Sequence, residues 1–136
     1  MHLQVILYDA ADLKRLKQLQ HSGVLPNHCA CVLYVLGRYR ENLQAQPTDL
    51  DEFVQPTNPD TWFACAFGQQ EHACITHAID QGGHARVGFE NNLWLASGEL
   101  AADNHTLVAQ VARYAQSQGR PVASAREAQL LLGVRH

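Results

Sequence analysis

No segment of this chain is apolar for long enough to cross a bilayer, and its start shows no charged stretch leading into a hydrophobic one. Neither a membrane span nor a signal peptide is therefore expected. There is no basic excess: ten Lys and Arg stand against thirteen Asp and Glu, a net charge of -3, which removes the cationic footprint that nucleic acid needs. No Gly-x-Gly-x-x-Gly follows the first candidate strand and no Gly-Lys-Ser/Thr loop occurs, which weighs against a nucleotide-binding sheet. Charged residues are sparse at 17%, whereas apolar residues make up 46%, enough for a real core in one domain spanning 1–136. The four Cys lie inside apolar segments, so free thiols in a reducing cytoplasm are expected.

The stretch that organises the rest is Gly82-Gly83-His84-Ala85-Arg86-Val87-Gly88-Phe89-Glu90-Asn91-Asn92. A Gly pair closes one helix, a short strand follows, and a carboxylate ends it. Strand alternation puts Ala85, Val87 and Phe89 on one face, packed under helices. His84, Arg86, Gly88 and Glu90 fall on the other face. In a parallel barrel that second face is the lumen, where charge needs a partner or a task. Arg86 and Glu90 would stand roughly 13 Å apart along such a strand, with Glu90 at the carboxyl end.

Around this stretch the chain alternates strand and helix. Leu3 to Asp9 reads as a buried strand, and Ala10 to Ser22 as a helix with Leu13, Leu16 and Leu19 on its inner face, ended by Gly23. Cys29 to Leu36 is a second strand, apolar on both faces. Thr48 is a candidate N-cap for a short helix stopped by Pro56 and Pro59. Thr61 to Phe67 is a third strand, and Gln69 to Gln81 a helix with Ala73, Ile75, Ala78 and Ile79 apolar. Asp103 or Asn104 caps a long helix striped by Leu107, Val108, Val111, Ala112, Tyr114 and Ala115, which Gly119 ends. Ser124 and Glu127 have capping-box spacing, and Leu130 to Leu132 are expected to pack the last helix down. Four βα units of this kind imply an α/β fold with a parallel sheet. Its closure is either a small doubly wound sheet or the C-terminal half of an eight-stranded TIM barrel, whose usual length is about 250 residues.

Gly82-Gly83-His84-x-Arg86-Val87-Gly88-x-Glu90-x-Asn92-Leu93 resembles the last-strand signature of the β-keto acid cleavage enzymes, the family that includes 3-keto-5-aminohexanoate cleavage protein. Tyr8-Asp9 resembles the family's fifth strand, Val24-Leu25-Pro26 the link after its helix, Val32 to Gly37 the sixth strand and Trp62 to Gly68 the seventh. Gly119 to Ala128 resembles its C-terminal tail. The resemblance implies a (β/α)8 barrel and a zinc-dependent enzyme. It would condense a β-keto acid with acetyl-CoA, giving acetoacetate and a new CoA ester. Glu90 matches the family's metal-binding Glu, an oxygen donor suited to Zn²⁺ beside imidazoles. Arg86 matches the strand Arg that works with a carboxylate to promote attack on the thioester. The residue after the metal Glu is usually Asp, and here it is Asn91, an amide that donates a hydrogen bond but takes no proton. The two His ligands of the family lie in the early half of the barrel, and this chain contains no His-x-His.

Plainer readings stand beside these. Glu90 could be a loop carboxylate, and Arg86 a structural lumen Arg paired to Asp9. Cys29, Cys31, Cys65 and Cys74 read as small buried filler, His72 and His77 as solvent-facing or supporting residues, and Trp62 and Phe63 as core. Two functional classes follow. One is the C-terminal half of a β-keto acid cleavage enzyme, awaiting a missing N-terminal half. The other is a non-catalytic half-barrel that persists as a homo-oligomer, because open strand edges invite pairing. In the first, the partners are small molecules, a β-keto acid and acetyl-CoA.

Overall fold

In the run Cys31–Leu36 five of six successive strand residues are buried, and the sheet is built outward from it. The computed structural model describes residues 3–26, 31–54 and 61–133. Strand β1 is Gln4–Leu7, β2 is Cys31–Leu36, β3 is Thr61–Ala66 and β4 is His84–Ala85. Helix α1 is Ala10–His21, α2 is Glu71–Asp80, α3 is Asn104–Ser117 and α4 is Ala125–Leu131. Short 3-10 turns occupy Glu41–Leu43 and Pro47–Glu52. The strands lie in the order β1-β2-β3-β4 and every pairing is parallel.

That order follows the chain without reversal, so the sheet has no switch point of the doubly wound kind. The helices pack on one face. Val32, Tyr34, Leu36, Trp62, Ala64 and Ala66 meet Leu13 and Leu16 of α1, Cys74, Ile75, Ala78 and Ile79 of α2, and Val111 of α3 in one core. The opposite face carries a smaller apolar cluster of Leu33, Val35 and Cys65 with Phe63 and Phe67 against it. A sequential parallel sheet with helices along one face is consistent with part of a TIM-barrel-like domain.

The sheet is less complete than strand patterning suggests. β1 is buried on its helix side only: Leu7 is 3% exposed in the core with Val5 against it, whereas Ile6, on the other face with Leu33, is 45% exposed, and Leu3 just before the strand is 41% exposed. Cys29, Pro56 and Pro59 lie outside the described residues. Thr48 is not a cap; Gln46 fills that role with Asp49, whose carboxylate accepts the Gln46 amide. α4 has its Ser124–Glu127 capping box, yet buries none of its residues, and Leu130 is 74% exposed. Asp103, not Asn104, caps α3, accepting from the Thr106 amide at 2.7 Å.

One side chain with no sequence signature fixes the approach to β4. Arg120 donates to the carbonyls of Ile79 at 2.6 Å, Gly83 at 2.8 Å and Gly82 at 3.3 Å. It thereby adds a charged donor to the carbonyls where α2 ends, the Ile79 carbonyl also accepting the Gly82 amide at 3.0 Å. Gly83 is needed at that junction because a Cβ there would overlap the Trp62 indole.

Candidate functional site

β4 is two residues long, not a strand running to Glu90. His84 pairs with Phe63 and Ala85 with Ala64, so alternation holds this far: Ala85 joins the helix-side core and His84 stacks at 5.0 Å on Phe63 of the opposite face. The Arg86 amide adds one more ladder bond, to the Ala64 carbonyl at 2.9 Å. Beyond it the chain turns. Gly88 has φ +154°, and its carbonyl accepts the amides of Asn91 at 2.9 Å and Asn92 at 3.2 Å. A side chain at Gly88 would be strained by that φ and would press on the Asn104 side chain.

The turn changes the expected geometry. Arg86 and Glu90 do not sit at separate depths; they form a direct ion pair, Arg86 Nη2 to Glu90 Oε2. Phe89 does not pack under the helices but is 40% exposed. Arg86 does not pair with Asp9, whose carboxylate instead caps α1 by accepting the Asp12 amide at 2.8 Å. Glu90 is 69% exposed at its side chain and Arg86 40%, whereas Asn91 and Asn92 are buried. Arg86 also reaches the Cys65 thiol. Burial pushes that thiol up to about 11, and the guanidinium only partly opposes the rise, so Cys65 is a neutral packing group.

Three anchors hold the turn. The Gly68 amide, after β3, donates to the Asn91 carbonyl at 3.1 Å. The Phe89 amide donates to Asn104 Oδ1 at 2.8 Å, which gives Asn104 a task at the turn rather than at the helix cap. Glu71, at the start of α2, is fully buried, and its Oε2 accepts from Asn92 Nδ2 at 3.0 Å. Asn92 in turn donates to the Trp94 carbonyl and accepts its amide. Glu71 carries no motif signal in the sequence and stands among the polar neighbours Gln69, Gln70 and His72.

Behind this turn, along the free edge of β4, runs a groove of about 720 Å³ lined by Phe63, His84, Arg86, Val108, Arg120 and Leu131 among others. At the other side of the mouth Arg38 stacks over Phe67, and Tyr8 and Tyr39 are in ring contact. His77 is bonded to Asp51 at 3.0 Å, and His72 is half-buried against Tyr114, so neither faces Glu90. Among the described residues no group of three His, Cys, Asp or Glu is close enough to hold a metal. The donors among the described residues therefore do not fit zinc without others: Glu90 is one oxygen donor, already paired to Arg86.

A profile described as beta-keto acid cleavage enzyme matches residues 1–134. The sequence is 36% identical over 110 residues to the 3-keto-5-aminohexanoate cleavage enzyme of Acetoanaerobium sticklandii, covering 80% of this chain and 39% of that protein. It is also 36% identical to the enzyme of the same name from Fusobacterium nucleatum, over 97% of this chain and 47% of that one. A 77-residue stretch is 39% identical to the 3-oxoadipate:acetyl-CoA acetyltransferase of Cupriavidus necator, covering 56% of this chain and 27% of that protein. The chain thus spans about half the length, or less, of the curated relatives it matches.

Proposed function

The chain belongs to the beta-keto acid cleavage enzyme family, and from that membership we propose that it supplies the C-terminal half of a (β/α)8 acyl-transfer enzyme. The reaction exchanges acyl groups between a β-keto acid and acetyl-CoA: the bond between the keto carbon and the carboxymethyl carbon breaks, the carboxymethyl carbon joins the acetyl carbonyl, and the thiolate takes the released acyl group. The products are acetoacetate and a new CoA ester. The supporting observation is the convergence of Arg86, Glu90 and Asn91 on one turn at the carboxyl end of a parallel sheet, where barrel enzymes build their sites.

In this reading Arg86 carries a fixed positive charge at the mouth, placed to hold the anionic oxygen of a substrate or of the collapsing thioester adduct. Glu90 is the one metal donor this half contributes, and Zn²⁺, held with two imidazoles from the other half, would polarise the keto group. Asn91 keeps the shape of the family's Asp and offers an amide donor in place of a charge. The groove beside β4 and the exposed edge of β1 are where the first and fourth strands of a complementary half would pair.

The test is to mix or co-express the chain with four βα units carrying His-x-His and to assay acetoacetate from acetyl-CoA and β-keto acids. Activity and stoichiometric zinc in the mixture, with neither in the separate parts, are expected. Zinc binding and acetoacetate formation by this chain alone would overturn the incompleteness, and an inactive zinc-free mixture would overturn the acyl-transfer assignment. A second reading, a non-catalytic homo-oligomer, is favoured by the exposed apolar side chains of Leu3, just before β1, and Ile6 within it.

A further inference from the structure

We propose that Glu71 is the positioning residue of the Gly88–Asn92 turn, a buried clamp that holds Glu90 and Asn91 at the mouth of the sheet. The inference rests on the acyl-transfer reading for what those two residues do, but the clamp itself is measured separately.

Glu71 belongs to α2, not to the motif, and stands 21 positions before Asn92 in the chain. It is the largest charged side chain in the core: its exposure is 0%, and only Asn91 and Asn92 join it among the buried polar residues described. Burying a carboxyl costs several kcal/mol unless its neighbours compensate, and helix surface was open to it. The compensation comes from the turn. Asn92 Nδ2 donates to Oε2 at 3.0 Å. The carboxyl-terminal end of the five-residue turn is therefore held by this one buried side chain.

The link continues beyond Asn92. Its amide nitrogen also donates to the Trp94 carbonyl at 2.6 Å and its oxygen accepts the Trp94 amide at 2.9 Å, so orienting Asn92 fixes the chain that leaves the turn. Glu90 lies two residues before Asn92, and its own side chain is 69% exposed and paired to Arg86. Of the three anchors on this turn, the Glu71–Asn92 bond is the buried side-chain pair, beside the Phe89–Asn104 and Gly68–Asn91 bonds that hold the residues flanking Glu90. Oε1 of Glu71 is buried and has no hydrogen-bond partner. A group serving packing alone would be replaced by Leu or Met without that penalty; one oxygen is left unsatisfied because the other is used.

The test is amide hydrogen exchange on the full chain, comparing Glu71→Ala and Glu71→Gln with the parent. The Asn91 and Asn92 amides, both bonded to the Gly88 carbonyl, should exchange about tenfold faster or more in Glu71→Ala, with the amides of Val32 to Leu36 within about twofold of the parent. Glu71→Gln, which keeps an acceptor for Asn92, should restore most of the protection. Asn92→Ala removes the same link from the other side, together with the Trp94 bonds, and must give at least the same loss of protection, and the double variant should be no worse than Asn92→Ala alone. Unchanged exchange at Asn91 and Asn92, an equal loss of protection across β2, or additive effects in the double variant would overturn the clamp. If exchange behaves as stated but the completed barrel with the parent sequence makes no acetoacetate, the acyl-transfer reading fails and the clamp stands.

Discussion

Arg86 and Glu90, four positions apart, meet side chain to side chain because the chain turns at Gly88 instead of continuing as a strand. The two groups that the sequence places at different depths are thus one unit at the mouth. An exposed pair of this kind contributes about 1 kcal/mol or less to stability. Arg86→Gln should therefore shift the thermal midpoint only slightly while reducing acyl transfer by the completed barrel about 100-fold or more, since a fixed cation beside developing charge is lost. A melting curve and an acetoacetate assay on the same preparation check both halves. A large drop in thermal midpoint would mark Arg86 as structural.

Arg120 does the opposite kind of work. Its three bonds to carbonyls at the end of α2 are charge-assisted and partly buried, and they fix the Gly82–Gly83 corner from which β4 starts. Arg120→Ala should cost about 2–3 kcal/mol by removing the charged donor that ties these carbonyls together. Arg120→Lys should recover little, because one ammonium does not reproduce a fork that spans three acceptors. Urea unfolding midpoints of the two variants measure this; a Lys variant equal to the parent would contradict it.

The alternation of strands and helices was legible because its signals are local. Leu13 and Leu16 follow helical period, Cys31–Leu36 is uniformly apolar, and Ser124 with Glu127 is a capping box within one turn. The motif around Glu90 identified the family for the same reason. What the sequence hid is long-range. Nothing local marks Arg120 as the cap of a helix that ends some 40 positions earlier, or Glu71 as a buried residue rather than an exposed one. Alternation of apolar and polar residues continues to Glu90 and so suggests a longer β4, while the turn that follows Gly88 is held by side chains of other elements, Asn104 on the Phe89 amide and Glu71 on Asn92.

Glu71 also predicts a pH dependence. Burial, outweighing the hydrogen bonds of Asn92 and Gly88, pushes its carboxyl up to about 7 from an ordinary 4.5. The folded chain then binds more protons than the unfolded one between those values, so this group's contribution is fully present below pH 4.5 and is lost as pH rises through about 7. The shift corresponds to about 3 kcal/mol at most. His72 and His84, both lowered by burial, act in the opposite sense as they stay neutral in the fold. The Cys65 and Cys74 thiols, raised to about 11 and about 12, do not titrate in this window. The difference in unfolding free energy between parent and Glu71→Gln isolates the carboxyl. It should move against the parent from pH 5 to pH 8, and a flat difference would show that Glu71 stays ionised throughout.

The edges of the sheet lead to the last expectation. β1 and β4 each have one neighbour, so each leaves a row of backbone groups without a strand beside it. Beside the β1 edge, Ile6 on the open face, Leu3 just before the strand and Tyr8 just past its end are all more than a third exposed. An edge of this composition, with no inward charge or proline on β1 to blunt it, favours association. By itself the chain should sediment as a dimer or larger assembly. Ile6→Lys, which places a charge at the exposed edge without touching the helix-side core, should shift it toward monomer. Adding a complementary first half should do the same by occupying both edges at once, replacing like-with-like assembly by a one-to-one complex. A well-folded monomer at high concentration, with Ile6 unaltered, would mean that the open edges are protected in some other way, and that the fold does not need a second body to cover them.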